Sequence, residues 1–278
     1  SHRGRLRQPR AGSAKVTAVD DLVVVRDDGV VTITINRPAR RNAISAEMWS
    51  QIPAAVEKLA KDDDVRVVIL RGEGEEAFVS GADISEFEQR RSGGPAAAEY
   101  DRAGSEAYRA LSAIDKPTLA MIHGFCVGGG VAVALCADLR FASEEARFAI
   151  PAAKLGLGYS AGLLEPLLRL VGSARALEIL YTARRYRADE ALAMGLVNAV
   201  APKLMLESVV RETADRIAAN APLTLRGVKI AARELGRDAA RRDYARIDAA
   251  TRLCYESEDY REGVRAFLEK RKPLFSGR

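Results

Sequence analysis

Lys116–Ala137 reads KPTLAMIHGFCVGGGVAVALCA, and its interpretation decides the fold. Twenty-one consecutive residues from Pro117 carry no formal charge if His123 is neutral, which is long enough to imitate a membrane span. Glycines at 124, 128, 129 and 130 break that reading. The segment predicts a buried strand at Thr118–Ile122, a glycine turn, and a short buried helix over Val131–Ala137. Glycines between strand and helix let the backbone approach a ligand closely, and their N–H groups sit where the helix dipole favours negative charge. Such donors suit a developing oxyanion.

Outward from this segment the chain alternates strands and helices. Leu22–Arg26 and Val30–Ile35 flank Asp27-Asp28-Gly29 and predict a hairpin with glycine supplying a positive φ. Ser45 is placed to cap a helix running to Lys61, with Pro53 predicted to kink it or delay its start. Val65–Leu70 (VRVVIL) has the β-branched continuity of a strand covered on both faces. A helix over Ala97–Ile114 and strands at Leu139–Ala142 and Arg147–Ile150 follow. Beyond Ser173 the pattern is helical: Ala174–Thr182, Asp189–Met194, Lys203–Asn220, Leu223–Leu235, Ala239–Cys254 and Asp259–Lys270. The pattern predicts an α/β layered core over residues 16–200 and a helical region over 201–278.

The formal net charge is +5, and Arg3, Arg5, Arg7, Arg10 and Lys15 account for it. Without these five the chain balances 38 basic against 38 acidic side chains, so no basic face for nucleic acid is expected. Residues 1–15 are expected to be a disordered basic leader, with a transit peptide as the alternative; no apolar run marks a secretory signal. Cys126, Cys136 and Cys254 are odd in number and show no C-x-x-C spacing, which predicts reduced thiols in a cytoplasmic protein. Two histidines do not make a histidine metal centre, and no metal or cofactor is predicted.

Gly158–Gly162 (GYSAG) matches the hydrolase nucleophile pattern, but no histidine follows Ser160. Gly156, Gly158 and Gly162 imitate a dinucleotide loop without the strand that should precede it.

FVSGADI (78–84), KPTLAMIHGFCVGGG (116–130), CAD (136–138), RFAIP (147–151), TARRYRADEALAMGLVNAV (182–200) and YREGVRAFLEKRKPLF (260–275) together resemble the enoyl-CoA hydratase/isomerase (crotonase) family, over about residues 20–275. The resemblance implies a spiral of repeated ββα units, a helical C-terminal trimerisation region, and a homotrimer or a hexamer of two trimers. It implies an acyl-CoA substrate, with coenzyme A entering as part of the substrate, and a thioester carbonyl held between the N–H groups of Ala82 and Gly129. CoA would lie along Ala82, Asp83, Ile84 and Ser85 and near Arg41, Asn42 and Ala43, with Phe267 and Lys270 closing the nucleotide end, from the same or a neighbouring subunit.

Two positions depart from the pattern. Where hydratases of the family carry catalytic glutamates, this chain has Ala132 and Ala152. Alanine does no acid–base work, and each such loss costs about 10²- to 10⁴-fold, so ordinary hydration is predicted to be very weak. Tyr159 and Ser160 occupy the stretch where some relatives place a catalytic aspartate. Tyr159 is a candidate proton donor or orienting group, with a plain pocket wall as the alternative; Ser160 is a candidate hydrogen-bonding group or a helix cap. Asp83 is expected to fix the oxyanion loop, His123 to satisfy a backbone partner, and Glu165 to face either pocket or solvent. Two functional classes follow: an acyl-CoA enzyme working through an enolate, and a catalytically silent acyl-CoA-binding protein.

Overall fold

The structure, a computed structural model, describes residues 14–19, 21–83 and 95–278. Eleven named strands among these residues form two sheets. The larger holds β1 (Ala14–Val19), β2 (Leu22–Asp27), β3 (Val30–Ile35), β4 (Val67–Gly72), β6 (Thr118–Ile122), β8 (Leu139–Ser143) and β11 (Ala199–Ala201), in that order. The smaller runs β10 (Tyr186–Arg187), β9 (Arg147–Ala149), β7 (Phe125–Val127), β5 (Ala77–Val79). The chain lays one strand in the large sheet, the next in the small sheet, then a helix, and repeats. β4, β5 and α2 (Pro95–Ala113) make one turn, and β6, β7 and α3 (Gly129–Leu135) the next. This is the ββα spiral the resemblance implied. α1 (Ala46–Ala60) precedes it, and α4 (Ala161–Thr182) follows β9.

The continuous apolar strands are explained by burial on both faces. In β4, Val68 and Leu70 enter the inner core with Phe78, Val79 and Val131, while Val67 and Ile69 enter a second cluster on the other side. β6 divides the same way, Ala120 and Ile122 inward, Leu119 and Met121 outward. Leu206, Val210 and Ala214 of α6 (Leu206–Ala218) cover that outer face; α5 (Ala188–Ala193) comes before it. α7 (Pro222–Leu235), α8 (Tyr244–Glu256) and α9 (Glu258–Leu268) complete the helical region. Lys229 of α7 ties it to the core: its Nζ donates to Asp138 Oδ2 at 2.6 Å and to the Lys116 carbonyl at 2.7 Å. Asp138 Oδ2 in turn accepts from Thr118 N–H at 2.8 Å.

Several local expectations are refined. The hairpin forms with Asp27 paired to Val30, but the positive φ belongs to Asp28 (54°). Gly29 is needed for space, since a Cβ there would lie 2.6 Å from Arg66 Cγ. α1 begins at Ala46 under the Ser45 cap and runs through Pro53, so its start is not delayed. The helix that Ser160 was a candidate to cap and the helix expected over Ala174–Thr182 are the two halves of α4, which starts at Ala161 and breaks at Gly172 (φ 76°). Strand β1 pairs antiparallel with β2, so Ala14 and Lys15, assigned to the leader on charge alone, belong to the sheet. The β-branched Val-Thr pattern that follows outweighs the leader's composition there. No helix among the described residues is long and apolar enough to cross a membrane.

Candidate active site

The ends of β5 and β7, neighbouring parallel strands of the small sheet, converge on a cavity of about 510 Å³. Ala82 lies just beyond β5. It forms a parallel bridge with Ile44, in which Ile44 N–H donates to Gly81 O at 2.9 Å and Asp83 N–H donates to Ile44 O at 3.1 Å. Amides alternate in direction along an extended chain, so Ala82's own N–H turns away from Ile44, and Ala82 is among the residues that line the cavity. Beyond β7, Gly128 has φ 54° and ψ −113°, a conformation for which glycine is suited, and its N–H is used by Ala149 O at 2.8 Å. Gly129 is the first residue of α3, where helical N–H groups lack an intrahelical acceptor. A Cβ on Gly129 would lie 3.6 Å from Ala82 N and 3.1 Å from Tyr108 Oη, so the two backbone donors share one small space with that hydroxyl. α3 has only seven residues, so the directed N–H groups carry this argument and the helix dipole adds little.

Gly130 is fixed by packing. A Cβ there would sit 2.0 Å from Val79 O, which places α3 hard against β5.

Ala132 and Ala152 both line the cavity, as do Tyr159 and Ser160. Tyr159 is held between turns: Ala152 O accepts from Gly156 N–H and from Leu157 N–H (3.0 Å), and Ser160 O accepts from Leu163 and Leu164 N–H. Its hydroxyl is buried and has no hydrogen-bond partner among the described residues. Burial pushes its pKa up to about 12, so it is a neutral phenol at physiological pH. Ser160 takes the N-cap position of α4, but its exposed side chain makes no capping hydrogen bond.

Asp83 is buried and paired with Arg37 Nη1 at 3.0 Å, as expected of a residue that fixes the loop. Asn42 is fully buried and its amide is fully employed: Oδ1 accepts from Arg37 N–H at 3.0 Å, and Nδ2 donates to Glu73 O (2.9 Å) and Ala77 O (2.6 Å). It therefore shapes the loop and offers no side-chain surface to a ligand. Ala43 is buried beside it, its carbonyl accepting from Arg37 at 2.8 Å. Arg41 remains exposed, paired with Glu76 at 2.6 Å and stacked 5.4 Å from the Phe125 ring centre. Ile84 and Ser85 lie outside the described residues. Phe267, 83% exposed, and Lys270, with φ 55°, sit at the end of α9 and do not line the cavity within this chain.

Glu165 faces solvent, paired with Arg169 at 2.6 Å. His123 is buried, but its Nδ1 finds no backbone partner among the described residues. Desolvation, followed by the nearby Arg71 charge, lowers its pKa. It does not line the cavity. All three cysteines are free, and burial raises the Cys136 thiol to about 11.

The wall that sequence reasoning missed comes from α1 and α2: Trp49, Tyr100, Asp101, Gly104, Ser105 and Tyr108. Trp49 Nε1 donates to Tyr100 Oη at 3.2 Å, and its ring lies 5.0 Å from that of Tyr108 at 60°. The signal was present, because Tyr100, Gly104 and Tyr108 recur at four-residue spacing on one helical face, with glycine leaving room between the rings. Asp101 is the one carboxylate among the described lining residues.

The chain matches the family model "Enoyl-CoA hydratase/isomerase" over residues 26–278. It is 37% identical over 259 residues to a crotonyl-CoA hydratase of Syntrophomonas wolfei, covering 93% of this chain and 98% of that protein. It is 34% identical over 264 residues to the peroxisomal Delta(3,5)-Delta(2,4)-dienoyl-CoA isomerase of Arabidopsis thaliana, covering 90% and 94%. Among solved structures, an enoyl-CoA hydratase/carnithine racemase from Magnetospirillum magneticum superposes with TM-score 0.90 at 38% identity, covering 94% of this chain and 97% of that one. A spiral with a glycine-lined mouth, matched along nearly its whole length by hydratases and isomerases alike, places this chain in the enoyl-CoA hydratase/isomerase family.

Proposed function

We propose that the protein is an acyl-CoA-processing enzyme whose reaction passes through a thioester enolate, its oxygen held by the N–H groups of Ala82 and Gly129. The observation that carries this is that the Ile44–Ala82 bridge uses the Gly81 carbonyl and the Asp83 N–H and not Ala82's own N–H, while Ala82 N lies 3.6 Å from a Cβ placed on Gly129. Two preorganised donors suit the charge that gathers on a thioester oxygen when the α-carbon loses a proton or the β-carbon gains a nucleophile. The reaction is a lyase or isomerase step other than efficient hydration, since Ala132 and Ala152 leave the usual acid–base positions empty of carboxylates. Asp101 at the cavity wall is the residue to which base chemistry is assigned. CoA is assigned to the stretch that begins at Ala82 and Asp83 and to exposed Arg41. Phe267 and Lys270 reach a neighbouring subunit's nucleotide end in a homotrimer or hexamer, in the cytoplasm and without a resident cofactor.

A second reading, a silent acyl-CoA-binding protein, is favoured by the same two alanines. Deuterium uptake at the α-carbon of butyryl-CoA in D₂O, followed by mass spectrometry, separates the two. The enzyme exchanges the α-proton well above the buffer rate while hydrating crotonyl-CoA near background. Tight binding with no exchange overturns the catalytic reading, and brisk hydration overturns the argument from the two alanines.

A further inference from the structure

Tyr108 brings a side-chain hydroxyl to the place where the Ala82 and Gly129 amides meet. Among atoms beyond Gly129's chain neighbours, its Oη lies nearest to a Cβ built on that glycine, at 3.1 Å, with Ala82 N at 3.6 Å and the Gly81 carbonyl carbon at 3.7 Å. Tyr108, Gly81, Ala82 and Gly129 all line the cavity, and Tyr108 is only partly buried. The hydroxyl therefore borders the cavity beside the carbonyl site. Its position is fixed from two sides. The ring packs 5.0 Å from that of Trp49 at 60°, and its Cε2 lies 4.0 Å from a Cβ placed on Gly104, one turn back along α2. Trp49 is itself held by its N–H on Tyr100. The Tyr108 carbonyl accepts from Cys136 Sγ at 3.6 Å, and Cys136 directly follows α3, the helix that Gly129 begins. The hydroxyl and the Gly129 amide thus ride on two helices tied together, which is the preorganisation that charge stabilisation needs.

We propose that Tyr108 is a further catalytic residue of the carbonyl site: its hydroxyl donates a third hydrogen bond to the thioester oxygen, beside the Ala82 and Gly129 amides. This rests on the enolate reading above and adds a side-chain donor to its two backbone donors. As the α-proton leaves for the base, the C–H electron pair becomes the second bond between the α-carbon and the carbonyl carbon, and the carbonyl pair moves onto oxygen. Tyr108 keeps its proton throughout. It shares that proton more strongly with the enolate oxygen than with the carbonyl, since hydrogen bonds to a charged acceptor are the stronger ones. A bond that strengthens in the transition state raises kcat more than it tightens substrate binding.

Tyr108→Phe keeps the ring against Trp49 and removes the donor. α-Proton exchange of butyryl-CoA in D₂O, measured on the full chain, should fall about 10²-fold in kcat, with KM within about 3-fold of wild type. Infrared difference spectra of bound butyryl-CoA labelled with ¹³C at the carbonyl give a readout that a structural role would not move. The carbonyl band should shift to lower frequency in wild type and shift less in the variant, while free CoA binds both proteins equally. Exchange and carbonyl band alike in the two proteins overturn the assignment, as does a loss matched by free CoA. Should the variant melt early, 3-fluorotyrosine at position 108 keeps ring and hydroxyl while making the phenol a stronger donor. The bound carbonyl band should then drop further, and an unmoved band overturns the proposal. Wild type that binds butyryl-CoA without carbonyl shift or exchange sinks the enolate reading itself, which is distinct from a shift that survives in Tyr108→Phe.

Discussion

Arg37 binds Asp83 across 3.0 Å and, from the same Nη1, holds the Ala43 carbonyl at 2.8 Å, so one guanidinium clasps both chains of the Ile44–Ala82 bridge. The Asp83 carboxylate is 8% exposed and the Arg37 side chain 17%, so solvent screens the pair weakly. Asp83→Ala leaves Arg37 with the Ala43 carbonyl and, among the described residues, the more exposed Asp21 at 3.2 Å as its carboxylate. It should destabilise the fold by about 2 to 4 kcal/mol in urea unfolding. Asp83→Asn, which keeps an acceptor for Arg37, should lose less; equal losses for both would mean the charge itself is what matters.

Neighbouring glycines should respond in opposite ways. Gly130→Ala drives a Cβ to 2.0 Å from Val79 O and should cost about 3 kcal/mol or more, because backbone on both sides resists. Gly129→Ala has its tightest contact with the Tyr108 hydroxyl at 3.1 Å, its other neighbours lying at 3.6 Å or more, and should fold normally. On the proposed placement its methyl group crowds the thioester oxygen, so α-proton exchange should fall by about 10²-fold or more. Melting temperatures paired with exchange rates check both, and a destabilised, active Gly129→Ala would contradict the placement of the hole.

Supplying the absent carboxylates should restore chemistry. Ala132→Glu with Ala152→Glu is expected to raise crotonyl-CoA hydration by about 10²-fold or more over wild type. The double variant should exceed either single one, since one group orients water and the other delivers the proton. Spectrophotometric loss of the enoyl thioester reads this directly; no gain would show that the surrounding walls have also diverged.

Lys229 gives a pH dependence of stability. Burial is the main cause that lowers its pKa to about 8, opposed by the Asp138 charge. The unfolded chain, with an ordinary lysine near 10.4, binds more protons than the folded one between those values. The stability of wild type relative to Lys229→Met should therefore rise with pH from about 8 to 10.5, by at most about 3 kcal/mol. Urea unfolding of both proteins at pH 7.5 and 10.5 measures the change; a difference that stays flat would sink it.

Much of this was legible before any coordinates. β6, the hairpin and the doubly covered β4 follow from local pattern, because alternation and β-branched runs record which faces are buried. The glycine mouth was legible for the same reason, as the glycines answer local steric demands. What was not legible depends on partners far along the chain. Asn42 spends its amide on Glu73 and Ala77, 31 and 35 residues away, so nothing near it in sequence marks it as a loop clamp rather than a ligand contact. Tyr100 and Tyr108 share a helical face with buried Leu111, and only the Gly104 gap distinguishes a cavity wall from core. At the hairpin the positive φ falls on Asp28, while Gly29 is required by the Arg66 side chain, 37 residues further along the chain, which claims the space a Cβ would take.

Ala82 and Gly129 follow adjacent parallel strands of one sheet, joined by the Val79–Cys126 pairing. Strand spacing in a sheet is close to constant at about 4.8 Å, so the separation of these two residues is inherited from hydrogen-bonded backbone, with the Arg37–Asp83 pair holding the Ala82 end in place. Positions 132 and 152 stand on other supports, one on α3 and one on the turn Pro151–Leu155. Substitution there can erase or rewrite the acid and base without disturbing the electrophile's cradle. On the proposed reading, a chain built this way can change its reaction while keeping its grip on the same kind of thioester, and the alanines at 132 and 152 stand where that freedom lies.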